Sequence, residues 1–94
     1  MPDTPMTLFT GELAAIRTVL ENAVKKAQAE GKKAGIIDFD GDAEMAARLF
    51  FKKLRDLDSQ NVDMILAAGV KEEGVGIAVM NRMRSAADGN VVEV

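Results

Sequence analysis

Apolar residues along this chain alternate between short continuous runs and a spacing of three and four. The segment Thr7 to Phe9 is a short run that ends at Thr10 and a glycine, which is typical of a strand. From Leu13 to Ala27 the apolar side chains recur every three or four residues, as they do on one face of a helix. We predict Thr10 as the N-cap of this helix and Gly31 as its C-cap.

The same alternation continues through the rest of the chain. The compact run Ala34 to Phe39 predicts a buried strand, because it is short and contains two adjacent β-branched residues. The pattern then predicts a helix from Ala43 to about Leu57, a strand centred on Met64 to Ala67, a helix from Ile77 to Ala87 and a last strand at VVEV.

Strands that alternate with helices predict βαβ units with right-handed crossovers. We therefore predict a small three-layer, Rossmann-like α/β domain with about four mostly parallel strands and three helices. The 94 residues form a single domain, 1–94, and the prolines near the start favour an extended linker remnant over residues 1–6. An edge of so small a sheet needs cover from a neighbouring domain or from a second copy of the chain.

Composition excludes several kinds of function. The chain has no histidine and no cysteine, which removes the usual zinc ligands and the Ser-His and Cys-His pairs. The net charge is -3 and the basic residues are spread over three segments, so we expect no direct nucleic-acid binding. No apolar run reaches the roughly 20 residues of a membrane span, and no signal peptide is recognisable, so we expect no membrane contact and a cytoplasmic location.

Three aspartates, Asp38, Asp40 and Asp42, follow the second predicted strand at alternate positions. The D-x-D-G sequence resembles the first motif of haloacid dehalogenase-type phosphatases, so a small Mg-dependent phosphatase or phosphotransferase is the alternative function. Such an enzyme needs further carboxylates, a Lys and a Ser or Thr at later strand ends, and the third strand ends in LAAGV. The simpler interpretation is a strand-to-helix turn in which Asp42 caps the helix. We therefore predict no catalytic residue and no metal site.

The last predicted helix carries the candidate binding residues. Gly74 and Gly76 precede it, where free backbone N–H groups attract anions. Asn81, Arg82 and Arg84 follow, and arginine can bind a carboxylate or a phosphate through two parallel hydrogen bonds. The alternative is a tight turn followed by a solvated helix face.

Two ordered segments resemble a known family. MAARLFFKKLRDLDSQNVDMILAAGV and EEGVGIAVMNRMRSAA are similar to two blocks of the C-terminal accessory domain of two-domain threonylcarbamoyl-AMP synthases, the YrdC/YciO/YwlC group. The opening PDTPMTLF is similar to the end of that family's interdomain linker and its first strand. The chain differs in lacking the YrdC-like catalytic domain and in being shorter by about one strand and its loop before the first block.

The resemblance implies a Rossmann-like module from enzymes that condense threonine, bicarbonate and ATP into threonylcarbamoyl-AMP for tRNA threonylcarbamoyladenosine modification. It also implies that the chemistry belongs to the YrdC-like domain. We therefore expect no enzyme activity from this chain alone and no cofactor of its own, with ATP entering only through the catalytic domain. The expected role is noncatalytic and regulatory, through contact with a YrdC-like catalytic domain in cis or in trans, or with another copy of the chain.

The first block adds Arg55 and Asp58 to the candidate residues, provided that the two blocks meet in space. Two interpretations stay open for Arg55, Asp58, Asn81 and Arg82. They form either a binding surface or an internal polar network that fixes the second helix against the last one.

Overall fold

Residues 4–94 are described by the computed structural model, and they form four strands and three helices in the predicted order. The elements are β1 (Met6–Thr10), α1 (Leu13–Ala29), β2 (Ala34–Ile37), α2 (Ala43–Ser59), β3 (Met64–Ala68), α3 (Val75–Ala87) and β4 (Val91–Glu93). The predicted linker remnant falls partly outside this range, because residues 1–3 lie outside the described residues. Met6, its last residue, is already the first residue of β1.

All of the strands within residues 4–94 pair in parallel, in the order β2-β3-β1-β4. Each connection must therefore return across the sheet through a helix. The α1 crossover runs from β1 past β3 to β2, whereas the α2 and α3 crossovers run in the opposite direction across the sheet. Crossovers of one hand then place α1 on one face and α2 and α3 on the other, which confirms the predicted three-layer α/β architecture.

Two apolar clusters fill the spaces between these layers. Side chains along a strand point to alternate faces, so Leu8 packs toward α2 and α3 while Phe9 packs toward α1. Leu66 joins Phe9 in the smaller cluster, and Ile65 joins Leu8 in the larger one. Burial on both faces explains why β3 is continuously apolar in sequence, whereas the edge strand β4 is exposed. No helix in this part of the chain is both long enough and apolar enough to cross a membrane.

The predicted cap of α1 is wrong at its N-terminus and confirmed at its C-terminus. The predicted N-cap Thr10 is wrong, because this residue still pairs in β1 and the N-cap is Glu12, which makes no side-chain cap hydrogen bond. At the other end Gly31 follows the C-cap in a left-handed conformation, with φ +73°. Its N–H donates to the Gln28 carbonyl, and the Lys32 N–H donates to the Ala27 carbonyl. This is a Schellman motif, which ends the helix at the predicted place.

Three other boundaries shift by a few residues. Strand β2 ends at Ile37, shortly before the chain turns at Asp40 and Gly41, yet Phe39 remains buried. Helix α2 continues two residues further than predicted, to Ser59, and a left-handed Asn61 follows it. Helix α3 begins earlier than predicted, at Val75.

Gly76 explains how α3 can begin so early. A Cβ atom at this position would lie 1.9 Å from the carbonyl oxygen of Lys71 and 3.5 Å from the Cβ of Ala43. The preceding loop therefore folds directly over the first turn of α3, beside the start of α2. Any side chain at position 76 would force these backbone segments apart.

The substitution Gly76→Ala should therefore destabilise the domain strongly. We expect a loss of about 2–3 kcal/mol in the free energy of unfolding, because the obstacle is backbone and cannot rotate away. Urea unfolding followed by circular dichroism would measure it. The control is Gly31→Ala, where no atom lies within 4 Å of the new Cβ and only the left-handed backbone costs about 1 kcal/mol. Equal losses in the two variants would contradict the steric explanation.

Candidate functional site

A cleft of about 600 Å³ lies between the C-terminal halves of α2 and α3. The two helices lie side by side on one face of the sheet and follow parallel strands, so they run in the same direction. The lining residues are Phe51, Leu54, Arg55 and Asp58 of α2, and Asn81, Arg82, Ser85 and Ala86 of α3. We call this surface the α2/α3 cleft.

The α2/α3 cleft brings together four of the seven candidate residues. Arg55 and Asp58 come from the first sequence block, and Asn81 and Arg82 come from the second. The two blocks therefore do meet in space.

The other three candidates lie elsewhere. Gly74 is the exposed N-cap of α3, with φ +55°. Gly76 is buried beneath the preceding loop and is explained by packing. Arg84 forms an ion pair with Glu72, which ties that loop to the last turns of α3.

The polar groups of the α2/α3 cleft are largely uncommitted. Asp58 accepts a hydrogen bond from the hydroxyl of Thr4, with 2.5 Å between the two oxygens. Within residues 4–94, no hydrogen bond or ion pair involves the side chains of Arg55, Asn81 or Arg82. This geometry favours an accessible surface over an internal polar network.

An apolar wall completes the α2/α3 cleft. Leu54 is buried and forms its floor, whereas Phe51 is 51% exposed. The Phe51 ring packs at a tilt against Phe50, with 5.5 Å between the ring centroids. Two guanidinium groups beside an exposed aromatic ring can bind an anionic group that has an apolar neighbour.

Sequence reasoning did not identify Phe51 in this cleft, or Thr4, which borders the cleft through its bond to Asp58. Phe51 follows Phe50 in a helix, where adjacent residues point about 100° apart, so only one of the two rings can face the core. That pattern was available in the sequence. The contact of Thr4 with Asp58 spans 54 positions and has no local signal.

The three aspartates form a structural turn on the opposite side of the domain. Arg17 of α1 donates to both Asp38 and Asp40, with its Nε 3.0 Å from Asp38 Oδ2 and its Nη2 2.8 Å from Asp40 Oδ1. The backbone N–H of Asp40 also donates to Asp38. Asp42 accepts from the N–H of Met45 at 3.0 Å, so the predicted helix cap is confirmed.

These contacts favour the ionised form of Asp38. Its hydrogen bond with Arg17 lowers the pKa of this carboxyl below the ordinary value, an effect that partial burial opposes and the Asp40 N–H supports. The same hydrogen bonds raise the pKa of Arg17. Asp38 is therefore an ionised carboxylate that already has its partners. No group of three or more carboxylates within residues 4–94 is arranged to hold a metal ion.

A second cleft of about 570 Å³ lies between α1 and the edge strand β2. Its lining includes Arg17, Glu21, Lys25 and Asp38, so both signs of charge are present. Because Arg17 is paired with Asp38, this α1/β2 cleft presents less unmatched charge than the α2/α3 cleft.

Comparison with known proteins places nearly the whole chain in one family. Residues 1–88 match the family described as threonylcarbamoyl-AMP synthase, C-terminal domain. The threonylcarbamoyl-AMP synthase of Pyrococcus abyssi is 38% identical over 104 positions, which include 99% of this chain and 31% of that protein. The chain thus spans about a third of the length of that relative. The aligned region is longer than the chain, so the relative has additional residues within it.

Two solved structures have the same fold. One is P. abyssi Sua5 complexed with L-threonine, which has a TM-score of 0.91 at 38% identity over 99% of this chain and 31% of that chain. The other is the C-terminal Sua5 domain of a hypothetical Sua5 protein from Pyrococcus horikoshii, with a TM-score of 0.82 at 30% identity over the full length of both chains. In the second case a domain of this type forms the fold as a separate chain.

The ion pair of Asp38 should make stability depend on pH. Its folded-state pKa is below the ordinary value of 3.8, so the pair stabilises the fold at neutral pH. That contribution declines as the pH falls through about 4 and is lost below the folded-state value. The difference in unfolding free energy between the wild type and Asp38→Asn should therefore shrink between about pH 5 and pH 2.

Urea unfolding over a series of pH values measures this difference. The matched control is Glu21→Gln, because no hydrogen bond or ion pair within the described range involves the Glu21 carboxylate. A difference between the wild type and Asp38→Asn that stays constant with pH would contradict the assignment.

Proposed function

The chain belongs to the family of threonylcarbamoyl-AMP synthase C-terminal domains, and from this we propose that it is a noncatalytic accessory domain. Its matched relatives are full-length synthases, and this chain corresponds to their C-terminal domain alone. In the proposal it acts in the cytoplasm, by contact with a YrdC-like catalytic domain in cis or in trans. It needs no cofactor of its own for that role.

The observation that carries the proposal is the convergence of both family blocks on the α2/α3 cleft. Arg55 and Asp58 from one block lie beside Asn81 and Arg82 from the other. Residues that served only the core would point inward, whereas Arg55, Asn81 and Arg82 are all exposed. A shared surface for a partner accounts for both blocks at once.

The position where the chain enters the domain supports the same partner. Thr4 immediately precedes β1 and bonds to Asp58 at the rim of the α2/α3 cleft. A C-terminal domain is joined to the rest of a synthase through the residues before its first strand. A catalytic domain attached there would lie close to this cleft, so little chain would be needed to dock it.

The aspartate turn also supports a noncatalytic role. A phosphatase of the haloacid dehalogenase type would require Asp38 to attack a phosphate, but this carboxylate is engaged by Arg17 and by the backbone of Asp40. Asp42 is engaged as the helix cap. These bonds give each aspartate a structural use that requires no substrate.

A chimeric synthase tests the proposal. In this chimera, the C-terminal domain of the P. abyssi synthase is replaced by the present chain. We expect the chimera to form threonylcarbamoyl-AMP from threonine, bicarbonate and ATP, and the chain alone to form none, because catalysis belongs to the other domain. Mass spectrometry of the product provides the measurement.

Two results would contradict the proposal. One is a folded chimera that makes no product. The other is Mg²⁺-dependent hydrolysis of a generic phosphate ester by the chain alone, lost in Asp38→Asn, which would support the phosphatase alternative.

A further inference from the structure

We propose that the α2/α3 cleft binds an acidic segment of the catalytic domain, with carboxylates of that segment paired to Arg55 and Arg82 and an apolar side chain against Phe51. This inference rests on the proposed function, since it names the part of the partner that the surface receives. The binding site is formed by side chains of α2 and α3 alone.

Charge is the first reason. The chain as a whole carries a net charge of -3, yet the α2/α3 cleft holds two arginines and one aspartate. That aspartate accepts a hydrogen bond from Thr4, and neither arginine has an ion-pair partner in the described part of the chain. By contrast, Arg17 and Arg84 are both paired with carboxylates of this chain. A carboxylate-bearing partner would supply the missing charges, because the planar guanidinium matches a carboxylate through two parallel hydrogen bonds.

The exposed aromatic ring is the second reason. Phe51 is the most exposed of the aromatic rings in the described range and stands at the wall of the α2/α3 cleft, above the buried Leu54. Interfaces concentrate their binding energy on aromatic and arginine side chains of this kind, surrounded by weaker polar contacts. Asn81 and Ser85 provide such polar groups on the α3 side.

The size of the α2/α3 cleft limits what can enter it. A volume of about 600 Å³ accommodates a few side chains rather than a whole element of structure. We therefore assign it to a short segment in which acidic residues flank an apolar one. The α1/β2 cleft is similar in size, but Glu21 and Asp38 there already supply negative charge, so it does not select an acidic partner.

Titration of the isotope-labelled chain with a short peptide tests the charge preference directly. The probe is acetyl-Glu-Leu-Glu-Phe-amide, and the matched peptide has lysine in place of both glutamates. NMR should show amide shifts concentrated at 51–58 and 81–86 with the acidic peptide, and about 10-fold weaker binding in the Arg55→Gln/Arg82→Gln double variant. Lys25→Gln on the α1 side should bind like the wild type, because it removes a positive charge outside the cleft. Equal shifts with the lysine peptide, or no shifts in the α2/α3 cleft, would overturn the inference.

The same substitutions in the chimeric synthase separate this inference from the proposed function. We expect product formation by the double variant to fall roughly 10-fold or more. Phe51→Ala should also lower product formation, but the dependence of product formation on salt concentration should stay as in the unsubstituted chimera. Circular dichroism checks that each variant remains folded. An active chimera that is insensitive to the double substitution overturns the assignment of the α2/α3 cleft and leaves the proposed function standing. Self-association of the chain that the double variant abolishes also overturns it, because the occupant would then be a second copy.

Discussion

Parallel pairing of the strands is the constraint from which the rest of this domain follows. A parallel strand can be reached only through a crossover, so each pair of successive strands is joined by a helix that lies on one face of the sheet. With the order β2-β3-β1-β4, two of these helices share a face and point in the same direction. Their C-terminal halves then lie near the end of the sheet where the parallel strands begin, and Thr4 meets Asp58 there. The α2/α3 cleft and the point where the chain enters the domain are therefore neighbours by topology.

Two glycines permit close packing around α2 and α3. Gly76 admits the carbonyl of Lys71, and Gly35 in β2 admits the side chain of Leu57, which a Cβ would approach to 2.8 Å. One of these contacts positions α3 beside α2, and the other positions α2 over the edge strand. With the apolar faces committed to the core, the polar residues along the outer sides of α2 and α3 are left available for a partner. Stability and binding thus use different faces of the same helices.

The sequence pattern was sufficient to predict the order and type of every described helix and strand. A spacing of three and four between apolar residues marks a helix, and a short apolar run marks a strand. Strand order was not predictable in the same way, since each predicted strand is a short, mainly apolar segment that does not specify its neighbours in the sheet. The predicted helix ends were wrong where a polar residue is compatible with two structures. Thr10 is a possible helix cap but continues β1, and Asp58 is a common turn residue but belongs to α2. In both cases pairing or helical packing outweighed the local preference.

The candidate site was predictable to the extent that the family resemblance joined two distant blocks. Arg55 and Arg82 were named together for that reason, and the fold places them in one cleft. Gly76 was named for its backbone N–H but serves packing, and the pairing of Arg84 with Glu72 depends on the path of a loop. The role of Arg17 was missed altogether, because its partner Asp38 lies 21 positions away on another element.

The docking surface can be located without any substitution. Hydrogen–deuterium exchange would be compared between the chain alone and the chimeric synthase that contains it. If the α2/α3 cleft faces the catalytic domain, exchange should slow at residues 51–58 and 81–86 while α1 remains unchanged. Slower exchange along α1, with the cleft segments unaffected, would place the partner on the opposite face of the sheet and contradict this account.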